Sequence, residues 1–297
     1  MVAMALHHDT RILTVEQLGP DDLVETFAFL DRDPVVNVYL IALTLRDSLA
    51  HPRDAFWAAR RDGEIVALHY LGPQSGAILP VGEDAAGLRL LAEETCDRLP
   101  ALPRRFQIIG PRGAAAPFIA AFAAAGLTPR LERAQTYMAV ERGALVAPER
   151  LPELRAAAPE DHERVFESGA QLRIEELGED PRTADPMSYA RRVEEECRDG
   201  HTFVWTDTAG LRFRASVSAV TADAAQVSGV YTPSALRNLG IARRGVGELC
   251  TRLFERSRAA CLFVNDINAP AIAVYQRLGF TPRAAWISAF YAARARP

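Results

Sequence analysis

Apolar residues recur every third or fourth position late in the chain. Val246, Leu249, Cys250, Leu253 and Phe254 form one stripe, which predicts a helix from about Gly240 to Arg258 with a buried face. Upstream, alternating and β-branched runs predict strands at Thr202–Thr206, Leu211–Val220 and Ala225–Thr232, the last stopped by Pro233. The short apolar run Cys261–Val264 reads as a central strand. Asn268 then caps a helix to Leu278, and a final strand covers Ala285–Tyr291. Before these elements come a strand at Leu154–Ala157 and a helix from Pro159 to Leu172. A loop holding Glu175, Glu176, Gly178 and Pro181 leads to a helix over Pro186–Arg198. The order predicts a mixed, mostly antiparallel α/β sheet flanked by helices, not a Rossmann wind.

The pattern occurs twice. "AAAGLTPRLERAQTYMAV" from Ala123 matches "QRLGFTPRAAWISAFYAA" from Gln276, with Gly126 over Gly279 and Thr128-Pro129-Arg130 over Thr281-Pro282-Arg283. "FWAARRDGEIVALHYL" from Phe56 and "TFVWTDTAGLRFRASV" from Thr202 both read as strand, tight turn, strand. A duplication follows. The segment "ERGALVAPERLPELR" has the glycine and prolines of a connector, so two sequential domains are expected, at 1–145 and 155–297. A chain of 297 residues suits two such domains.

Composition then narrows the chemistry. The formal net charge of −4 argues against a nucleic-acid surface. All 34 basic residues other than histidine are arginine, which excludes a P-loop lysine, a pyridoxal Schiff base and a lysine nucleophile. Cys96, Cys197, Cys250 and Cys261 form no CxxC pair. The six histidines, including His7 and His8 in an expected frayed terminus, show no metal spacing, so no metal is expected. No GxSxG elbow is present. The longest apolar stretch, near Ala114–Ala125, is interrupted by Pro117 and too short for a membrane span. With no leader pattern, a cytoplasmic location without membrane contact is expected.

The candidate chemistry lies in "VYTPSALRNLGIARR". A strand ends at Val230-Tyr231-Thr232, and Arg237, Gly240 and Ala242 stand where the long helix begins. A helix start exposes unpaired N–H groups and a positive dipole end, small residues there let an anion reach the amides, and Arg237 adds a cation at the rim. A tight turn without ligand is the alternative. A second stretch, "FVNDINAPAIAVYQRLGF", places Asn265 and Asn268 at a strand end and helix start, with Tyr275 seven residues beyond Asn268. Asn268 as a plain helix cap and Tyr275 as a half-buried packing residue remain open.

Together the two stretches resemble the GNAT superfamily of acetyl-CoA-dependent N-acyltransferases over roughly residues 155–291. Arg237, Gly240 and Ala242 fit its Q/R-x-x-G-x-G/A loop, while Asn238 departs from the glycine common there. The resemblance implies tandem GNAT-like folds, with acetyl-CoA as co-substrate between splayed strands. It implies backbone contacts from Val230, Tyr231 and Thr232 to the pantetheine arm. Amides of Asn238, Leu239, Gly240, Ile241, Ala242 and Arg243 would hold the pyrophosphate, with Asn265 and Asn268 nearby. Arg243 and Arg244 are candidates for the 3′-phosphate, or a solvated helix face. Tyr275 would be the general acid, and Glu175 and Glu176 are candidates for the base, or solvated surface groups. The acceptor would be an amine of a small molecule or peptide, attacked directly in a ternary complex, and a homodimer is compatible. The first half lacks both motifs and is expected to be a degenerate copy that no longer binds the cofactor. Two alternatives stand beside the enzyme: a non-catalytic CoA-binding or regulatory module, and an aminoacyl-tRNA-dependent transferase on the same tandem fold.

Overall fold

The computed structural model describes residues 13–72, 76–98, 102, 105–146 and 148–292. His7 and His8 and part of the expected connector lie outside the described residues.

The first half supplies β1 (Leu13–Leu18), α1 (Leu23–Leu30), α2 (Val38–Asp47), β2 (Ala55–Arg61), β3 (Glu64–Gly72), β4 (Ala77–Gly82), α3 (Ala85–Asp97), β5 (Arg105–Pro111), α4 (Arg112–Ala124) and β6 (Leu131–Glu141). The second half supplies β7 (Arg155–Ala156), α5 (His162–Leu177), α6 (Pro181–Ala184), α7 (Pro186–Arg198), β8 (Thr202–Asp207), β9 (Gly210–Val220), β10 (Ala224–Tyr231), α8 (Ile241–Leu253), β11 (Ala259–Asn265), α9 (Ala269–Arg277) and β12 (Thr281–Ala292). The mixed, mostly antiparallel sheet flanked by helices is the expected class.

Two compact units result, but they are not the sequential halves 1–145 and 155–297. One comprises residues 1–30, 44–133 and 286–297; the other comprises 31–43 and 134–285. The physical reason is an exchange of last strands. In the first unit the strand order is β1-β2-β3-β4-β5-β12, and in the second β7-β8-β9-β10-β11-β6. The orders correspond position by position, except that each unit's last strand comes from the other half of the sequence. Trp286–Ala292 of β12 pairs antiparallel with β5, and β6 pairs antiparallel with β11 from Ala259↔Glu141 to Asn265↔Gln135.

Each unit has its own apolar core. Phe106, Phe118, Phe122, Ile287 and Tyr291 anchor the first; Met138, Val140, Phe213, Val246, Leu249, Leu262 and Phe280 anchor the second. Full burial of such side chains contributes about 1.5–3 kcal/mol each, set against the entropy of ordering the chain.

Several element boundaries in the second half differ from expectation, the last strand starting at Thr281 rather than Ala285, and two of them shape the site. The first helix runs on to Leu177, because nothing between Leu172 and Leu177 breaks it. Gly178, at φ +66°, then supplies the left-handed cap and donates to Ile174 O. Glu175 and Glu176 therefore sit in a helical last turn rather than a loop. The long helix α8 ends at Leu253 rather than Arg258. Beyond it the buried Ser257 hydroxyl donates to Thr221 O at 2.7 Å, and Arg258 N donates to Ala222 O, turning the chain into β11.

Candidate functional site

In the second unit β10 and β11 run parallel, but their pairing stops early. The register covers only Ala224↔Ala259, Ala225↔Ala260 and Gln226↔Cys261. Past that point each strand is held from its outer side, β10 by β9 and β11 by β6. The pairing of β10 with β9 shifts between Ser228 and Tyr231, and Gly229 takes φ +57°, a backbone region that glycine enters without strain. The two strands thus open a wedge lined by Val230, Tyr231 and Thr232 on one side and by Leu262–Asn265 on the other.

Buried polar atoms on the two sides of the wedge's open end lack partners. The Thr232 hydroxyl oxygen and the Asn265 carbonyl oxygen Oδ1 are both buried without a hydrogen bond. Such atoms cost about 1–3 kcal/mol each when left unmade. Their position at the wedge suits a ligand that carries both donors and acceptors.

From Thr232 the chain passes through a short turn at Ser234–Leu236 into α8. Asn238 lies at φ +64° and Gly240 at φ +77°; Gly240 is the residue before the helix and offers no side-chain cap. A Cβ built on Gly240 would meet nothing within 4 Å. The amides of Asn238, Leu239, Gly240, Ile241, Ala242 and Arg243 make no hydrogen bond to the protein among the described residues. The first recorded amide bond past this loop is Arg244 N to Gly240 O at 3.0 Å. Ile241 is buried and anchors the turn, while Leu239 is 65% exposed. The six amides are therefore left unclaimed by the protein at the positive end of the helix dipole.

The arginines around this crown are placed differently from expectation. Arg237 is not a free cation at the rim: its Nη2 donates to Glu175 Oε2 at 2.7 Å and its Nε to Thr232 O at 3.1 Å, with the Tyr231 ring 5.8 Å away. It braces the loop against α5 and the end of β10. Arg244 lies over the Trp205 ring, 5.3 Å from its centroid, and the Nε atoms of Arg243 and Arg244 are buried without partners.

Asn268 acts as the cap of α9, its Oδ1 accepting from Ala271 N at 3.2 Å, so the plainer reading of that residue holds for its oxygen. Tyr275 is 7% exposed and packs its ring 5.8 Å from that of Phe280. Its hydroxyl makes no hydrogen bond among the described residues. Burial, with smaller contributions from the Glu176 carboxylate and the Cys250 thiol, pushes the phenol well above its usual range, so the proton stays on. Of the two candidate carboxylates, Glu175 is ion-paired with Arg237, and Glu176 acts electrostatically on Tyr275.

In the first unit the corresponding pieces are β4, β5 and α3. Their strands also pair in parallel over two residues only, Ala77↔Gln107 and Ile78↔Ile108. There, however, the helix start is closed. The Asp84 carboxylate accepts from Gly87 N at 2.8 Å and pairs with Arg61 at 2.8 Å, putting the protein's own anion where an external one would sit. Elsewhere in that unit Asp47, His51 and Asp54 bring possible metal-ligand atoms within 4.8 Å of one another. Arg46 already pairs with both carboxylates, and His51 Nδ1 accepts from Asp54 N at 2.9 Å.

The geometry has a counterpart in known proteins. Residues 171–280 match the model of the Acetyltransferase (GNAT) family. The whole chain has the fold of tandem GNAT proteins. It superposes on a GCN5-related N-acetyltransferase from Sphaerobacter thermophilus with TM-score 0.62 and 17% identity, covering 96% of this chain and 97% of that one. A tandem GNAT protein from the clavulanic acid biosynthesis pathway gives TM-score 0.56 and 18% identity over 96% of this chain and all of that one. A GNAT-family acetyltransferase from Colwellia psychrerythraea gives 0.54 and 10% over 94% and 99%. No curated protein sequence matches the chain. Among the described residues no helix is long and apolar enough to cross a membrane.

Proposed function

We propose that the protein is an acetyl-CoA-dependent N-acyltransferase with a single donor site per chain, in the second unit. The observation that carries this reading is the crown of six unbonded amides from Asn238 to Arg243 at the start of α8. Amides so placed hold diphosphate oxygens through short, charge-assisted bonds. The wedge beside it, with the orphaned Thr232 and Asn265 oxygens, suits an amide-bearing arm. Bound acetyl-CoA supplies the activated acyl group.

The chain's own residues then have distinct parts. Amides along Val230–Thr232 provide donors beside the wedge where negative charge on an acyl oxygen would be stabilised. Tyr275 keeps its proton in a nearly dry setting and can give it up at its Oη. Glu176, whose charge is felt at that hydroxyl, is the candidate to take a proton from an incoming amine, directly or through water. Arg237 and Glu175 position the loop. No side chain needs to form a covalent bond, so the contribution of the fold is placement and electrostatics. The acceptor is an amine of a small molecule or peptide.

Calorimetry with CoA and a thiol-release assay with acetyl-CoA over a panel of amines test this reading. One CoA per chain is expected, with binding weakened at least about tenfold by Gly240→Val, which adds both backbone strain and bulk at the crown. Two sites per chain, or affinity indifferent to Gly240→Val, would contradict it. CoA binding without turnover on any amine would favour the non-catalytic module instead.

A further inference from the structure

The sheet of the second unit has two faces. On one, Met138, Val140, Leu262 and Val264 join the core that Val246, Leu249 and Tyr275 complete from the helices. There α8, with the crown at its start, and α9, with Tyr275, pack against each other across the strands. That side of the wedge is occupied by protein, so a second reactant has to come from the opposite face.

The opposite face carries the alternate residues of each strand. Gln226 and Cys261 form the last pair before the wedge opens; Ser228 and Phe263, two residues further on, flank its mouth and are half-buried. On one side of this mouth stands α5, which packs on β9 and β10 and accepts the Arg214 guanidinium on Val165 O at 3.0 Å. On the other side stand residues 31–43. They come from the first half of the sequence, yet they belong to the second compact unit. Tyr137 Oη donates to Val35 O at 2.8 Å, Cys261 Sγ lies 3.8 Å from the same oxygen, and Arg283 Nη2 donates to Asp33 Oδ1 at 3.2 Å. Cys261 Sγ is also 3.5 Å from Ala225 O on the neighbouring strand, so Val35 stands over the point where β10 and β11 part.

The segment is anchored from below and accessible at its edge. Tyr137, Cys261 and Val38 are fully buried, whereas Asp33, Pro34, Val35 and Val36 are half-buried. A buried phenol that gives its hydrogen to one backbone carbonyl fixes the place of that carbonyl. A fixed backbone beside the reacting centre is what orientation of a second substrate requires.

We infer that residues 31–43 form one wall of the acceptor site of the second unit, facing α5 across the wedge, and that the Tyr137 bond to Val35 is the positioning contact that holds this wall. This rests on the acyltransferase reading above. The first half of the chain then touches the acceptor of a reaction whose donor it does not bind.

The first test uses no amine. Val35→Cys and Val36→Cys, made singly, are exposed to the mixed disulfide of CoA with 2-thiopyridine. The introduced thiolate attacks the CoA sulfur, a protein–CoA disulfide forms, and pyridine-2-thione leaves. Peptide mapping should find CoA on at least one introduced thiol faster than on the half-buried Cys96 of the first unit, and excess acetyl-CoA should suppress it. Reaction at neither position in a protein that binds CoA would overturn the inference and leave the donor site standing. Absence of CoA binding would remove both. The second test is kinetic, with whichever of spermidine, tyramine, glucosamine and alanine amide turns over fastest. Tyr137→Phe should raise KM for that amine at least about fivefold, as loss of one hydrogen bond implies, with CoA affinity within about twofold of wild type. Ile78→Val, a core change of comparable cost in the first unit, should leave that KM unaltered. An unchanged KM in Tyr137→Phe, or an equal rise in Ile78→Val, would overturn the positioning role.

Discussion

Replacing Tyr275 with phenylalanine separates a chemical role from a structural one. The hydroxyl has no hydrogen-bond partner among the described residues, so its removal breaks no bond within the protein. The ring keeps its place against Phe280 and within the core of Leu249, Cys250 and Leu278. Stability should therefore be unchanged or slightly raised, which is unusual for a change at a buried position, where a loss near 1 kcal/mol is typical. If the phenol donates a proton in the transition state, its loss should slow turnover by about 10²–10⁴-fold, equivalent to ~3–5 kcal/mol of barrier. Three measurements on one variant decide the matter: thermal melting, calorimetric CoA affinity and kcat from thiol release. The expected pattern is an unaltered melt, unaltered CoA binding and a collapsed kcat. Because burial raises the phenol's pKa, wild-type kcat should show no alkaline loss near pH 10, where an exposed tyrosine ionises. A Tyr275→Phe enzyme turning over within twofold of wild type would refute the reasoning, and a lower melting temperature would reveal a bond that the geometry does not contain.

Two further outcomes concern stability and pH. Glu248 is buried, accepts from Arg150, Arg252 and Leu151 N, and has its pKa held down to about 2, chiefly by the Arg150 bond. Its folded value lies below the unfolded one, so its contribution, at most about 3 kcal/mol, is present above roughly pH 4.5 and is lost as pH falls toward 2. Urea melts should show Glu248→Gln destabilised at pH 7, with the gap to wild type closing at pH 3; a gap that does not change with pH would remove the ion cluster from the account. His69 is buried, with Nδ1 unpartnered and Nε2 3.2 Å from the Thr95 hydroxyl, and desolvation depresses its pKa to about 3. Its folded value too is below the unfolded one, so acid unfolding should take up one extra proton between about pH 6.5 and 3, steepening the loss of stability by ~1.4 kcal/mol per pH unit. His69→Phe should flatten that slope, and an unchanged slope would show the acid sensitivity to lie elsewhere.

Much of the second unit was legible because its signals are local. Pro233 stopped a strand, Asn268 capped a helix, and the stripe from Val246 to Phe254 named a buried face. The loop of Arg237, Gly240 and Ala242 was visible for the same reason, since φ > 0 and thin side chains leave a mark in the sequence. What stayed hidden depends on partners far away along the chain. Arg237 read as a free rim cation, and only the fold shows that Glu175 holds it, 62 residues distant. Glu175 and Glu176 read as a loop because Gly178 and Pro181 follow closely, although a helix needs no breaker until Gly178 itself. The exchange of β6 and β12 was equally silent, because both strands carry the same alternation and fit either sheet.

That exchange bears on why a chain would retain a half whose helix start is plugged by Asp84. Leu131–Glu141 is the strand beside β11, and it buries Met138 and Val140 in the core that supports the amide crown. Deleting the first half would strip the strand β6 from the second unit, and a protein ended before Trp286 would lose Ile287, Ala289 and Tyr291 from the core of the first. Gene fragments cut at the connector should therefore be insoluble when made singly and recover only when produced together. A helix start closed by Asp84 does not make that half dispensable: each half lends a strand that its twin's sheet requires.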